Sequence, residues 1–383
     1  MRTRWGLPLA AALTIAVATP AAANHRIDVD VIARGLDNPR HIAVGKGGEL
    51  YVAEAGRGGD HATSRSCFNS AEGFACTGRS GAVTKIDRRG QVRVARGLAS
   101  YANASGGDAF GPHGVLVDGH KLYITNGGPT RPTRGDPPVP VLRDPTLVAE
   151  EPISTLFGRL LEVRREGRVR SVADVWAFER DVNPDAGIGN PGALINSNPV
   201  DVLRDRGRFV IVDAGGNSLL RTSHSGRLES LSVFPYIPTA SGPLESVPTS
   251  VAKGPDGAYY VSELTGLPFP VGGSKVFRVD PRTGVFTTFA SGFTNVLDLD
   301  FGNDGTLYVL ELDRDSLLNP GTDGGLWAVS RRGVARRIEL PPGTLTHPAG
   351  IAVGRHGTLY VSNHSREAGV GEVLRIDLGR RGR

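Results

Sequence analysis

The phrase VPTSVAKGPDGAYYVSE, Val247–Glu263, decides the fold, because the chain repeats it. It reads as an apolar strand entered from a proline, a tight turn at Asp256-Gly257, and a second strand with aromatic character. The turn glycine supplies the positive φ that a hairpin needs. The same pattern returns as NPRHIAVGKGGELYVAE (Asn38–Glu54), GPHGVLVDGHKLYITN (Gly111–Asn126) and NPVDVLRDRGRFVIVD (Asn198–Asp213). NVLDLDFGNDGTLYVLE (Asn295–Glu311) and HPAGIAVGRHGTLYVSN (His347–Asn363) bring the copies to six.

Each copy is followed by a third strand of one type, GAVTKID, GRLLEVR, NSLLRTS, SKVFRVD, GGLWAVS and GEVLRID in turn. A fourth strand follows in the first five copies, for instance QVRVARGL from Gln91 and VFTTFASG from Val285. The sixth has none, but DVIARGL near the start, Asp30–Leu36, matches QVRVARGL closely. Six units of four alternating strands, the last completed by the first strand of the chain, specify a six-bladed β-propeller closed by its N-terminal strand. Closure protects edges that an open array would expose. A β-sandwich predicts no such repeat. No segment shows a sustained helical period.

The chain has 383 residues and a formal charge of +5. Arg2 and Arg4 precede an apolar run from Gly6 to Val17, and Ala21-Ala22-Ala23 offers small residues to a peptidase. Residues 1–23 are therefore expected to be a signal peptide, and 24–383 the propeller, secreted or periplasmic as a monomer. The apolar run is shorter than the roughly 20 residues of a membrane span. Cys67 and Cys76, the only cysteines, are expected to form a disulfide across a short loop; half a metal site would find only His61 nearby. The basic residues are mostly Arg, scattered along the chain without interleaved aromatics, which argues against a nucleic-acid partner. Arg134-Gly135-Asp136 and the glycosylation-like triplets at Asn103 and Asn363 are short strings that arise by chance, and Trp176 and Trp327 read as packing residues. No GxSxG elbow or HExxH helix is present.

In an up-and-down blade, the connection into strand one and the connection out of strand two open on the same face. That face receives the insertions at 55–80 and 127–157 and the longer linkers between blades, which is where binding resides on a rigid scaffold. The second strands end in Glu54, Asn126, Asp213, Glu263, Glu311 and Asn363, one acid or amide per blade. Near the starts of the first strands, which line the channel, lie His41, His113, Asp201, Ser250 and Asp298. These eleven are the candidate ligand-binding residues at the channel mouth. Carboxylates brought together recruit a cation or shift their pKa values. Glu54, Asp213, Glu263 and Glu311 are the candidate metal ligands, for one divalent cation, Ca²⁺ or Mg²⁺ rather than Zn²⁺. The competing reading makes the strand ends ordinary caps that accept backbone N–H groups.

DAGGNSLLR (Asp213–Arg221), VPTSVAKGPDGAYYVSELTGLPFPVGG (Val247–Gly273), the YVLE of the fifth copy, GPHG (Gly111–Gly114) and the NPDA…NSNP linker from Asn183 to Pro199 resemble the ScyD/ScyE family over essentially the whole of 24–383. That resemblance implies an exported propeller without an established activity. The repeat alone is also similar to NHL, gluconolactonase-like and strictosidine-synthase-like propellers. Two functions follow as expectations. One is a binding module whose loop-rich face takes a small molecule, a glycan or an extracellular protein. The other is a metal-dependent hydrolase of lactone or ester type at the channel mouth, with His41 and His113 as proton carriers.

Overall fold

The computed structural model describes residues 27–62, 67–70, 73–128, 156–164, 168–188, 195–239, 242–319 and 321–379. The expected signal peptide, most of the 127–157 insertion, the Arg134–Asp136 triplet and the tail from 380 lie outside the described residues. Strand β1 (Asp28–Leu36) opens the chain. The first blade contains β2 (Pro39–Val44), β3 (Leu50–Glu54), a short β4 (Cys67–Ser70), β5 (Gly73–Asp87) and β6 (Gly90–Asn103). The second is β7 (Pro112–Asp118), β8 (Lys121–Asn126), β9 (Arg159–Val163) and β10 (Val169–Asp174), and the third is β11 (Pro199–Asp205), β12 (Arg208–Asp213), β13 (Ser218–Thr222) and β14 (Leu228–Val233). A small hairpin, β15 (Ile237–Thr239) and β16 (Gly242–Leu244), leads to the fourth blade of β17 (Pro248–Lys253), β18 (Tyr259–Glu263), β19 (Ser274–Val279) and β20 (Phe286–Phe293). The fifth is β21 (Val296–Phe301), β22 (Leu307–Glu311), β23 (Gly325–Val329) and β24 (Ala335–Arg337). The sixth, β25 (Gly350–Val353), β26 (Leu359–Asn363) and β27 (Gly371–Asp377), takes β1 as its outer strand.

All six sheets are antiparallel, and β1 pairs with β27 from Asp28↔Asp377 to Leu36↔Gly371, as the sequence match requires. Each inner strand touches the inner strands of both neighbouring blades, and β25 returns to β2, so β2, β7, β11, β17, β21 and β25 ring the channel. The core is divided among the interfaces between blades. Tyr123 of the second blade meets Phe209 of the third edge-on at 4.8 Å, and Tyr260 of the fourth meets Phe301 of the fifth at 4.9 Å. Between the third and fourth blades, Phe234 stacks on Phe277 at 5.0 Å within a cluster that includes Val212, Leu219 and Val261. Alternation along each strand feeds these layers from both faces of a sheet, so a blade is stable only with neighbours on both sides.

Two features differ from expectation. The β5–β6 hairpin runs well past the expected strands, and β4 pairs back on it, with Cys67 opposite Cys76 and disulfide-bonded to it. The linker between the second and third blades begins with a helix, α1 (Val175–Val182). Asp174 caps it by accepting the Ala177 amide at 3.0 Å, and Val175, Trp176 and Glu179 are its buried face. Two turns of helix are too few to show a period in the sequence. Among the described residues, no helix is long and apolar enough to cross a membrane.

Candidate functional site at the channel wall

The site is built by a fault repeated in the first five blades. The proline that opens strand one pairs with the last residue of strand two: Pro39 with Glu54, Pro112 with Asn126, Pro199 with Asp213, and Pro248 with Glu263. Val296 takes the proline's place opposite Glu311. The register then slips, between Pro199 and Asp201, Pro248 and Ser250, and Val296 and Asp298. Such bulges re-aim the side chain that sits on them. The equivalent positions around the ring are His41, Gly114, Asp201, Ser250, Asp298 and Gly350. The two glycines are required by close approach: a Cβ on Gly350 would stand 2.4 Å from the Arg40 carbonyl oxygen, and one on Gly114 would stand 2.7 Å from the Asp201 Cα.

The four side chains at these positions form one buried network. His41 Nδ1 lies 3.2 Å from Asp201 Oδ1, which also accepts the Val202 amide at 2.8 Å. Asp201 Oδ2 accepts the Val251 amide at 2.8 Å and the Ser250 hydroxyl at 3.0 Å. Ser250 Oγ is also 2.6 Å from Asp298 Oδ1, which accepts the Leu299 amide at 2.8 Å, while Asp298 Oδ2 accepts the Ile351 amide at 2.7 Å. Each aspartate therefore staples an amide of its own strand to an amide on the inner strand of the next blade. Those N–H groups lie on the sheet edge that faces the channel and have no ladder partner, so the carboxylates satisfy them. The Ser250 hydroxyl has one proton and two carboxylate neighbours. Both contacts are satisfied only when one carboxyl is itself protonated.

Burial raises Asp298 to about 6, a push that the His41 charge partly offsets. Asp201 moves the other way: burial opposes its charge, but His41 and the amides it accepts outweigh that and lower it. Burial also works against a charged His41, yet Asp298 and Asp201 together raise it to about 9. His113, whose Nδ1 donates to the Val200 carbonyl at 3.0 Å, is held well below 6.5 by burial and by the charges of His41 and Arg40. The two imidazoles meet edge-on with centroids 5.0 Å apart. The surroundings thus favour the charged form of one imidazole and the neutral form of the other. His41 is 3 % exposed, and its Nε2 has no hydrogen-bond partner. Among the described residues, His41, Asp201 and Asp298 form a group able to hold a metal ion, with one ligand atom from each within 4.8 Å of the others.

The strand-two residues are placed differently. None of the six is more than 2 % exposed, and no hydrogen bond or ion pair joins any of them to His41, Asp201 or Asp298. Glu54 accepts the Asp37 amide at 2.8 Å and pairs with Arg93 at 2.6 Å; Asp213 accepts the Asn198 amide at 2.6 Å. Glu263 accepts the Ser246 hydroxyl at 2.6 Å with Lys275 at 3.5 Å, Glu311 accepts the Thr294 amide at 2.7 Å, and Asn363 Oδ1 accepts the Thr346 amide at 2.7 Å. These five hold the segment that leads into their own blade's inner strand. Asn126 instead donates to the Leu156 carbonyl at 3.2 Å, beside the large insertion. Glu311 also lines a cleft of about 430 Å³ with Trp327, Arg314 and Arg337.

Sequence reasoning missed Asp300. It lies two residues beyond Asp298 on β21 and repeats the staple, accepting the Phe301 amide at 2.8 Å and the Val353 amide at 2.7 Å. Burial raises it to about 7. The alternation Asp298-Leu299-Asp300 on an inner strand was the available signal.

No protein-family model matches the chain, and no curated protein matches it. Solved structures do. An oxidoreductase (glucose dehydrogenase) from Thermus thermophilus is 18% identical with a TM-score of 0.51, over 92% of this chain and 100% of that one. A gluconolactonase-like protein is 13% identical with a TM-score of 0.49, over 93% of each chain. Virginiamycin B lyase from Staphylococcus aureus is 12% identical with a TM-score of 0.46, over 92% of this chain and 99% of that one. At 18% identity, the likeness to the first of these agrees with the propeller fold and says nothing about chemistry.

Proposed function

We propose that this protein is an exported binding module that holds a small polar ligand, the sugar end of a glycan or a polar group of a partner protein, at the loop-side mouth of its channel. His41, Asp201, Ser250 and Asp298 form the contact set, and His113 and Asp300 flank it. The observation that carries the reading is the His41 Nε2, buried and unpartnered in a cluster whose other polar atoms are nearly saturated. A buried N–H without an acceptor costs about 1–3 kcal/mol, so an acceptor from a ligand has a reason to sit there. The test is calorimetry of the protein with a panel of monosaccharides, uronic acids and lactones, repeated with His41→Gln and Asp298→Asn. Binding that survives both substitutions unchanged would remove the channel from the reading.

A second reading, a metal-dependent hydrolase of lactones or esters, is favoured by the convergence of His41, Asp201 and Asp298 from three different inner strands. An imidazole with two carboxylates suits a first-row transition ion better than the Ca²⁺ or Mg²⁺ expected from an all-oxygen set. His41, Asp201 and Asp298 would each offer one ligand atom to such an ion, with His41 giving up its proton on binding. Bound there, it would polarise a carbonyl and acidify a water. Chelator-stripped protein titrated with Mn²⁺, Zn²⁺, Ca²⁺ and Mg²⁺ should then show a metal-dependent melting shift and turnover that Asp298→Asn abolishes. A shift without turnover supports the binding module.

A further inference from the structure

Part of the arginine set scattered through the sequence is gathered by the fold onto one face. The face opposite the long loops is made of the turns between strands one and two and between strands three and four. These are tight: Gly48 donates to Gly45, Gly257 to Gly254, Gly305 to Gly302 and Gly333 to Ser330. Exposed cations stand on them around the disc: Arg88 and Arg89 on the first blade, Lys121 on the second, Arg206 on the third, Arg282 on the fourth and Arg332 on the fifth. None of these six forms an ion pair among the described residues. Arg355 of the sixth blade joins them, held to the Lys46 carbonyl at 2.7 Å.

The acids of the same turns are engaged by turn amides or by cations of the same or a neighbouring blade, Asp118 by Arg204 at 3.7 Å and Asp256 by Arg278 at 2.7 Å among them. Asp87 accepts the Arg89 amide at 2.8 Å and pairs with Lys85 at 2.9 Å, and Asp205 is taken by Lys253 at 2.5 Å and the Tyr259 hydroxyl at 2.8 Å. Asp280 accepts the Arg282 and Thr283 amides, and Asp304 the Thr306 amide. These carboxylates cap turns or pair locally while the six cations face solvent, unpaired among the described residues, so the disc presents a surplus of positive charge.

We propose that this turn face docks on a planar array of anionic headgroups, a membrane leaflet rich in acidic phospholipid. A plane is favoured over a linear polyanion because the cations circle the disc, where a single chain would touch one stripe. The tight turns keep the face flat. Val285 and Val334, 68 % and 67 % exposed, close the turns just before the fourth strands of adjacent blades and add shallow apolar contact at the rim. No Phe, Tyr or Trp stands on these turns to stack a nucleic-acid base. Docked this way, the loop-rich face and the channel mouth point away from the surface. The inference is independent of what the channel binds.

Cosedimentation of the intact protein with vesicles of phosphatidylcholine, alone or mixed with phosphatidylglycerol, tests it. Binding is expected only to the mixed vesicles, and it should fall steeply as salt rises from about 0.05 to about 0.3 M and the Debye length shrinks. Replacing Arg88, Arg89, Arg206 and Arg332 with Gln should weaken it by roughly fivefold for each charge removed near the surface. Arg34→Gln with Arg180→Gln, exposed on other parts of the molecule, should leave it unchanged. Thermal melts establish that each variant is folded, and the salt titration of the wild type stands without any variant. Absence of binding to acidic vesicles, or equal loss in the control pair, overturns the proposal. So does binding to a soluble sulfated polysaccharide without binding to vesicles, which would assign the face to an acidic polymer.

Discussion

Glu179→Gln should stabilise the protein at neutral pH and leave it unchanged in acid. Glu179 is on the buried face of α1, 1 % exposed, with its Oε2 against Gly216, where a Cβ would stand 2.6 Å from that oxygen and 3.2 Å from Asp213 Oδ2. Asp185, also 1 % exposed, lies beside it, and no Lys, Arg or His pairs with Glu179, Asp185 or Asp213 among the described residues. Burial first, then the charges of Asp213 and Asp185, raise Glu179 from 4.5 to about 8. The folded state therefore keeps a proton that the unfolded state has lost. Its contribution is complete below 4.5 and disappears as pH rises through about 8. The slope is at most about 1.4 kcal/mol per pH unit, an upper limit of about 3 kcal/mol at pH 7. Local relaxation should leave on the order of 1–2 kcal/mol. Gln has the same shape and no charge to lose, and its amide can donate to the neighbouring carboxylates. Urea melts of both proteins from pH 4.5 to 8 should coincide at the acid end and diverge steadily above it. Parallel curves, or a variant less stable than the wild type at pH 8, would refute the reasoning and point to a cation that compensates an ionised Glu179.

Deleting the chain through Leu36 removes the whole outer strand of the sixth blade, including Leu36 and Ala33, 1 % and 4 % exposed. A Leu of that burial alone is worth about 2–3 kcal/mol, so the truncated protein should melt far below the intact one or aggregate, and an equal melt would sink the closure scheme. Reducing Cys67–Cys76 should move the melting temperature little, because the bond closes a hairpin only nine positions long at the edge of its sheet; a large drop on reduction would contradict this. Ser250→Ala removes the one hydroxyl between Asp201 and Asp298 and should cost about 1–3 kcal/mol in urea melts at neutral pH; unchanged stability would mean the two carboxylates need no bridge.

The fold was legible because its evidence is periodic. Six copies of one phrase, a missing last strand and its match at Asp30–Leu36 leave a single closed arrangement. The helix α1 was not, since its eight residues sit in a linker and their identity as a helix depends on the Asp174 cap and on burial against the second and third blades. The candidate site was half legible. His41, Asp201, Ser250 and Asp298 were marked by position and do form a network, whereas Glu54, Asp213, Glu263, Glu311 and Asn363, marked equally, stand apart from it and accept from the segments that lead into their own inner strands. Repetition shows that a position matters but not where its side chain points, and the bulge after each proline is what separates the two sets. The turn face was illegible for the same reason: Arg88 and Arg332 are far apart in the chain and come together only when the blades are wound into a ring.

The channel itself explains why polarity there is a poor guide to function. A propeller's inner strands present one edge that no strand pairs, and every amide on that edge needs an acceptor. Asp201, Asp298 and Asp300 serve that need, each reaching an amide of the next blade at 2.7–2.8 Å. Their carboxylates would be required by the fold even if the protein bound nothing. What the fold does not require is a buried imidazole at the one ring position before Gly114, charged by its neighbours and left with an unpartnered Nε2. A hydroxyl or an amide at that site would satisfy Asp201 at lower cost in desolvation. The excess of chemistry over structural need is therefore at His41, and substitutions there should separate ligand binding from stability more cleanly than any change to the aspartates.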